Sequence, residues 1–305
     1  MYTYTVKNFK VRLYWTPDNQ KPICFRQTFN SSGKYGNIQF VYNGDDADFY
    51  VIGNWSKNIE ALKGKKIIFT QQEPPTVKFP EKKILDICCL AISPFKIDHS
   101  IKQFIAPTVL QWTHDIDAVY KHQIGHVYSM ANNRNLEDLI IEEPPVKNRL
   151  CSMIVSAKSF TEGHKKRLDF TKLLMDHFKN KIDFYGFGIK EIKNKKDAIN
   201  PYLYSISIEN SSFNNYFTEK ISDVFLGFGM PIYYGCPNIN EYFPENSLIK
   251  INIEDKDDII AKIENCIDKP ELIKPKILFD ARRRVLTEYN LFRIISVAIN
   301  TNFQN

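Results

Sequence analysis

The chain has 305 residues, of which 43% are hydrophobic and 25% are charged, so it has enough apolar sequence for two packed cores and is not an intrinsically disordered protein. The formal net charge of +6 permits an anionic ligand or a membrane surface, but the basic residues are dispersed, which disfavours nucleic acid as a partner. Six cysteines without a CxxC pair indicate reduced thiols, not a zinc site or a disulfide scaffold.

Short strands separated by turn residues fill the first half of the chain. Runs rich in β-branched and aromatic residues predict strands at 11–14, 38–42, 49–52 and 66–70, with Gly, Asn and Asp between them. This pattern favours a layered α/β domain. Two acids and two prolines at 142–145 interrupt the periodicity, so we place the domain boundary there, between domains 1–145 and 146–305.

Strands and helices alternate in the second half. Hydrophobic periodicity predicts a strand at 150–156, a helix at about 162–178 with Thr161 as its N-cap, and strands at 182–185 and 202–209. A helix at 218–229, a strand at 230–234 and helices at 255–266 and 275–299 follow. The alternation predicts a parallel sheet with crossover helices, which binds ligands outside the carboxyl ends of its strands.

The N-terminus shows no targeting signal. Residues 1–7 lack the apolar core of a signal peptide, and no window approaches 18 uninterrupted apolar residues. We therefore expect a cytoplasmic protein without a transmembrane segment, with peripheral contact to a membrane surface left open.

The segment from Glu209 to Lys220 is the most informative part of the chain. It places carboxylate, amide, phenol, hydroxyl and ammonium groups directly after a predicted strand, which suits a polar, charged ligand such as a nucleotide sugar. Sugar transfer from a nucleoside diphosphate develops negative charge on the departing diphosphate, so cations and helix N-termini should face it. Lys220 and Arg167, which lies near the start of its helix, are the candidates.

The same segment resembles a family signature. Glu-Asn-Ser at 209–211, Tyr-x-Thr-Glu-Lys at 216–220, an apolar helix and Pro-Ile-Tyr-Tyr-Gly at 231–235 are similar to the family 10 glycosyltransferases, the α1,3/α1,4-fucosyltransferases. The resemblance is strongest over about 151–252. It implies a GT-B-like α/β fold, with two Rossmann-like domains facing across a cleft, and an inverting transfer of L-fucose from GDP-fucose to a hydroxyl of an oligosaccharide or glycoconjugate. It implies an acceptor-side N-terminal domain, a nucleotide-sugar-binding C-terminal domain and no required cofactor.

The resemblance also implies roles for single residues. Donor-binding roles pass to the matching positions, which are Arg167, Asn210, Tyr216, Glu219 and Lys220. Glu219 would accept hydrogen bonds from ribose or sugar hydroxyls, and Tyr216 would pack on or bond to the nucleotide. Glu73, followed by two prolines, matches the family's glutamate and is the predicted catalytic base. Taken singly, these residues are more typical of helix caps, packed aromatics and solvated charges.

Two other patterns have structural alternatives. Asp46-Ala47-Asp48 has the DxD spacing of metal-dependent transferases, but an acidic turn is the favoured interpretation and we predict no metal. His114-Asp115, which follows Trp112, could line the acceptor side with that aromatic ring or could be a satisfied core or surface pair. His164 could touch phosphate or cap its helix.

Two alternative functions remain at this point. One is a transferase that uses another GDP-linked sugar, since no residue identified here selects guanine or fucose. The other is a catalytically silent saccharide-binding protein on the same fold. The acidic and basic groups at 73, 219 and 220 argue against the silent protein.

Overall fold

The computed structural model describes residues 6–15, 21–121, 125–129, 134–156, 158–186, 188–270 and 274–304. The first five residues, which belong to the stretch interpreted above as lacking a signal peptide, lie outside this set. The chain divides into two compact units, one of Met1–Gln111, Asn135–Asp138 and Thr287–Asn305, and one of Trp112–Arg134 and Leu139–Leu286. This division differs from the predicted boundary at 145/146, because the second unit already begins at Trp112 and the C-terminal segment belongs to the first.

The first unit contains a seven-stranded sheet, ordered β2-β3-β1-β4-β5-β6-β7. Its strands are β1 (Phe9–Leu13), β2 (Lys34–Tyr35), β3 (Ile38–Val41), β4 (Phe49–Gly53), β5 (Ile67–Thr70), β6 (Cys88–Ser93) and β7 (Gln103–Ile105), with helix α1 (Lys82–Leu85) before β6. All neighbouring pairs are parallel except the edge pair β2-β3. The four strands predicted from sequence in this region are confirmed as β1, β3, β4 and β5.

The second unit contains an antiparallel hairpin and a five-stranded parallel sheet. The hairpin is β8 (Ala118–Lys121) and β9 (Gly125–Tyr128); the sheet is β10 (Arg149–Ile154), β11 (Ile182–Tyr185), β12 (Tyr202–Ile208), β13 (Met230–Tyr234) and β14 (Ile249–Lys250). The helices from residue 136 to 287 are α2 (Leu136–Ile140), α3 (Glu162–Phe178), α4 (Glu219–Leu226), α5 (Lys256–Asp268) and α6 (Pro275–Thr287). The sheet order is β11-β10-β12-β13-β14, and every pair is parallel, which confirms the predicted parallel sheet.

The single helix predicted at 275–299 is wrong. The chain forms α6 and then a separate helix α7 (Leu291–Phe303), because Asn290 adopts extended backbone angles and its side chain accepts a hydrogen bond from the Phe292 N–H at 2.9 Å. This is the usual chemistry of a helix N-cap. The apolar face of α7 is buried in the core of the first unit, in a cluster that includes Phe25, Phe40 and Phe292.

Helix length and polarity bear on membrane association. Within the described ranges, every helix is too short or too polar to cross a lipid bilayer.

Candidate functional site

The strand order of the second unit determines where a ligand can bind. Starting from β10, the chain adds β11 on one side and then returns to add β12 on the other, so the connections diverge between β10 and β12. In open parallel sheets, ligands bind outside the carboxyl ends of the strands at such a switch point. β10 is followed by the start of α3 and β12 by residues 209–218, so both predicted donor segments emerge at this edge.

Backbone contact joins these two segments. A Cβ atom placed on Gly163 would lie 1.9 Å from the carbonyl oxygen of Asn210, so only glycine allows this approach of α3 to the strand end. The side chain of Asn210 accepts a hydrogen bond from the Tyr216 hydroxyl at 3.3 Å. Because Tyr216 is buried, its contact with Asn210 lies inside the fold and its ring has no exposed face.

Glu209 anchors the segment that follows β12. Its buried carboxylate accepts hydrogen bonds from the N–H and the hydroxyl of Thr218, both at 2.9 Å, and from the Lys220 ammonium at 3.0 Å. Burial raises the pKa of Glu209, and the charge of Lys220 opposes that effect. Thr218 is also the N-cap of α4. Glu209 therefore fixes both the loop and the position of Lys220.

Glu219 lies between two cations, Lys220 and Lys195. The Lys220 ammonium lies 3.8 Å from the Glu219 carboxylate, which is 3.9 Å from the ammonium of Lys195. Burial alone would raise the pKa of Glu219, but the charges of Lys220 and Lys195 outweigh it and lower this pKa to about 2. Glu219 is thus an anion at neutral pH and is suited to accept hydrogen bonds from hydroxyl groups.

Asp223 is the buried partner of Lys195. Its buried carboxylate pairs with Lys195 at 2.8 Å and accepts hydrogen bonds from the Thr113 and His114 N–H groups, both at 2.9 Å. The His114 ring is buried against Asn200, with its Nε2 atom 2.7 Å from the amide oxygen, and burial lowers its pKa.

Trp112 and His114 are core residues of the second unit. The ring of Trp112 is only 2% exposed and has no face to offer a sugar, and His114 is fully buried. The burial of both side chains agrees with the interpretation as core residues.

The start of α3 gathers positive charge. The buried guanidinium of Arg167 donates hydrogen bonds to the carbonyl oxygens of Ser156 and Lys158, at 3.0 and 3.3 Å. His164 contacts the N-cap Thr161, with 2.7 Å between Nδ1 and Oγ1. Burial, together with the charges of Arg167, Lys158 and Lys220, lowers the pKa of His164 to about 4. His164 takes part in helix capping, and the surrounding cations with the helix N-terminus suit an anion.

Glu73 lies in the first unit, in the loop after β5. Its N–H donates a hydrogen bond to the side-chain oxygen of Asn54 at 3.1 Å, and its carboxylate accepts one from the indole N–H of Trp55 at 3.3 Å. The side chain of Gln71 bonds to its carbonyl oxygen. The loop is therefore held by residues that the sequence analysis did not single out.

The DxD sequence contacts basic residues of β1. Asp48 accepts a hydrogen bond from the Lys10 N–H at 2.7 Å, Asp46 pairs with the Lys10 ammonium at 3.3 Å, and the neighbouring Asp45 pairs with Arg12 at 2.6 Å. These contacts support the interpretation as an acidic turn.

One family model matches part of the chain. Residues 144–269 match the model of the C-terminal part of glycosyltransferase family 10, the fucosyltransferases. The match covers about two fifths of the chain, so the similarity to this family holds for residues 144–269. The matched segment contains all five predicted donor residues, whereas Glu73 lies outside it.

Curated relatives align with short parts of the chain. An α-(1,3)-fucosyltransferase FucT of Helicobacter pylori is 31% identical over 61 residues, which are 20% of this chain and 13% of that enzyme. A GDP-fucose protein O-fucosyltransferase 3 of Danio rerio is 32% identical over 94 residues, or 30% of this chain and 20% of that protein. The alignments thus span a fifth or less of the length of these relatives.

Solved structures establish the fold of the whole chain. An α1,3-fucosyltransferase crystallised with GDP superposes with a TM-score of 0.52 at 18% identity, covering 95% of this chain and 92% of that one. A DNA-modifying β-glucosyltransferase gives a TM-score of 0.53 at 12% identity, covering 95% and 99%. These likenesses confirm the predicted α/β fold of the GT-B class.

Three charged residues of this arrangement had no predicted role. Glu209 was noted only as part of the signature, and Lys195 and Asp223 were not singled out. Asp223 lies four residues after Glu219 on α4, so helical spacing could have placed both on one face. Lys195 precedes β12 and carries no local signal, because its partners come from a distant helix.

Proposed function

We propose that this protein is an inverting glycosyltransferase that moves L-fucose from GDP-fucose to a saccharide hydroxyl. The observation that carries the proposal is that the predicted donor residues of the segment similar to family 10 emerge together at the switch point of its sheet. The choice of GDP-fucose is supported by the name of the Danio rerio relative and by the α1,3-fucosyltransferase structures with GDP and with GDP-fucose.

In this proposal the diphosphate is bound at the start of α3. Lys220 has a partly exposed side chain, and its charge acts on His164 together with that of Arg167. Within the described part of the chain, the buried Nε of Arg167 has no hydrogen-bond partner. These cations and the helix N-terminus would stabilise the negative charge that develops as GDP departs.

Groups on α4 and after β12 would hold the sugar and ribose. The Glu219 carboxylate stays charged at neutral pH and accepts hydrogen bonds from hydroxyls, and Asn210 offers an amide at the strand end. Because the chain's own cations would neutralise the diphosphate, we propose that no metal is required. Turnover should therefore survive the addition of EDTA.

Inversion needs a base that removes the proton of the acceptor hydroxyl, and we assign this role to Glu73. The indole N–H of Trp55 orients the carboxylate of Glu73. The carboxylate keeps further lone pairs that can accept a substrate proton. The acceptor oxygen would then form the bond to the anomeric carbon while the bond to the diphosphate breaks, and GDP would leave with that electron pair.

One experiment tests donor and base together. The purified chain is incubated with GDP-fucose, GDP-mannose or UDP-glucose and a panel of saccharides, and nucleotide release and product formation are measured. We expect turnover with GDP-fucose, a loss of about 100-fold or more in the Glu73→Gln variant with GDP affinity retained, and no change in the control Glu60→Gln. Turnover with UDP-glucose but not GDP-fucose would overturn the donor, and full activity of Glu73→Gln would remove Glu73 from the mechanism.

A further inference from the structure

Trp55 is an exposed indole next to the proposed base. It is the second residue after β4 and is 57% exposed, whereas Trp112 is 2% exposed. Single exposed apolar residues are common on protein surfaces, so exposure alone carries little meaning. The contacts of Trp55 are more informative than its exposure, because the ring is held in place on one side and open on the other.

Two contacts orient the ring. The ammonium of Lys78 lies 4.0 Å from the ring centroid, in a cation–π contact that covers one face. The indole N–H donates its hydrogen bond to the Glu73 carboxylate at 3.3 Å. Since the ring is still more than half exposed with one face covered, the opposite face is open to solvent.

Asn54 fixes the distance between this ring and the loop that carries Glu73. Its side-chain oxygen accepts hydrogen bonds from the N–H groups of Gln72 and Glu73, at 2.6 and 3.1 Å. Its amide donates to the carbonyl oxygen of Lys78 at 3.2 Å, and the Gln71 amide donates to the same carbonyl at 3.0 Å. Hydrogen bonds of Asn54 and Gln71 thus hold the backbone of Glu73 and Lys78 close to Trp55.

We propose that the open face of Trp55 stacks against a pyranose ring of the acceptor saccharide, a subsite that rests on the function proposed above. A pyranose has an apolar C–H face that packs on an aromatic ring, and its hydroxyls project around the rim. Because the carboxylate meets the indole at its N–H edge, a hydroxyl at the rim of the stacked sugar lies near Glu73. The indole therefore binds the acceptor ring and at the same time orients the base.

The test separates the ring from its N–H group. Trp55→Leu removes both, and Trp55→Phe removes the N–H but keeps an aromatic face. Phe29→Leu is the matched control, since Phe29 belongs to the same unit and is also 57% exposed. For each variant, kcat and KM are measured with methyl β-glycosides of glucose, galactose and N-acetylglucosamine. GDP-fucose hydrolysis is followed without acceptor.

We expect Trp55→Leu to raise the acceptor KM by about 10-fold or more with GDP affinity unchanged, and to lower donor hydrolysis no further than Trp55→Phe does, since both variants lack the hydrogen bond to Glu73. Trp55→Phe should restore most of the KM and lose part of kcat, because the hydrogen bond to Glu73 is missing. Phe29→Leu should behave like the parent protein. An unchanged acceptor KM in Trp55→Leu, or equal losses in hydrolysis and transfer, would overturn the subsite.

Iodide quenching of tryptophan fluorescence gives a readout that does not need turnover. Trp55 is far more exposed than Trp112, so saccharides that cover it should protect it from iodide, and Trp55→Phe should lose this protection. Protection without any turnover of GDP-fucose would support the subsite and overturn the proposed donor. Turnover without protection would overturn the subsite alone.

Discussion

At the scale of single residues, Lys195 connects two carboxylates with different surroundings. It pairs at 2.8 Å with the buried Asp223, whose position is set by backbone N–H donors, and lies 3.9 Å from the partly exposed Glu219. The ion pair with Asp223 gives Lys195 a defined position, and the charge of Lys195 then acts on Glu219. We therefore infer that Lys195 is a positioning residue for Glu219.

Lys195→Met should raise the donor KM by about 10-fold, because Glu219 loses one of its two cations. Enzyme kinetics with GDP-fucose measure this effect. The same loss should be much smaller in a Glu219→Gln background, because a residue that acts through Glu219 has little to act on once its charge is gone. Lys195→Arg should restore most of the affinity.

Lys196 supplies the matched control. Lys196→Met removes an ion pair with Asp115, at 2.6 Å, and leaves the contacts of Glu219 intact. The donor KM of this variant should match that of the parent protein. Equal effects of Lys195→Met in the two backgrounds would show that Lys195 does not act through Glu219.

The pKa of Glu219 also gives a pH window. Since it lies at about 2 in the folded protein against an ordinary value of 4.5, its contribution to stability is complete above pH 4.5 and is lost as the pH falls towards 2. Lys195→Met should weaken this dependence in urea unfolding at pH 3 to 5.

At the scale of elements, the site depends on how closely α3 approaches the end of β12. Gly163 lies in the first turn of α3, where its missing side chain leaves room for the carbonyl of Asn210. Replacing a glycine by alanine within a helix ordinarily stabilises it by about 0.5–1 kcal/mol. Here the added Cβ atom would lie 1.9 Å from a backbone oxygen, so the same replacement should destabilise the protein.

Gly163→Ala should lower the free energy of unfolding by about 1–3 kcal/mol and weaken GDP binding. Urea unfolding and calorimetric titration with GDP measure the two effects. Lys165→Ala, at an exposed position of the same helix, is the control and should change neither. A Gly163→Ala protein of higher stability with intact GDP binding would mean that the two segments are not in contact.

Elements with strong local patterns were predictable. The strands at Ile182–Tyr185 and Met230–Tyr234 agree with the structure residue for residue, and Thr161 is the N-cap of α3. The α6–α7 break was missed, because one asparagine within a continuous apolar stripe is compatible with a helix interior until its side chain is seen to cap the Phe292 N–H.

The candidate site also contains residues that the sequence predicted and residues that it did not. Residues 209–220 are close in sequence, so their spacing alone indicated a ligand site. The contacts of Lys195 and Asp223 join segments far apart in the chain, including the N–H of Thr113, and no local pattern predicts them. The exposure of Trp55 and the burial of Trp112 likewise depend on the folded chain, so the sequence alone does not distinguish the exposed tryptophan from the buried one.

At the scale of the whole molecule, helix α7 contributes to the core of the first unit. Helix α7 buries Phe292 and its apolar neighbours with residues from the beginning of the chain, so the first unit is finished only after the second has been synthesised. Its core therefore includes contacts between segments more than 200 residues apart, which are slow to form because the loop-closure entropy must be overcome first. The ring of Phe292 is fully buried and meets Phe25 and Phe40 edge to face, with centroids 5.6 and 4.8 Å away.

Phe292→Ala should destabilise the first unit by about 3–5 kcal/mol, because it removes a buried ring and leaves a cavity between elements that cannot close around it. Hydrogen exchange followed by mass spectrometry should show faster exchange in β1, β3 and α7 than in the parent protein. Val297→Ala on the partly exposed side of the same helix is the control and should cost less than about 1 kcal/mol. If Phe292→Ala left exchange in β1 and β3 unchanged, α7 would not be part of that core, and the division of the chain into these two units would be wrong.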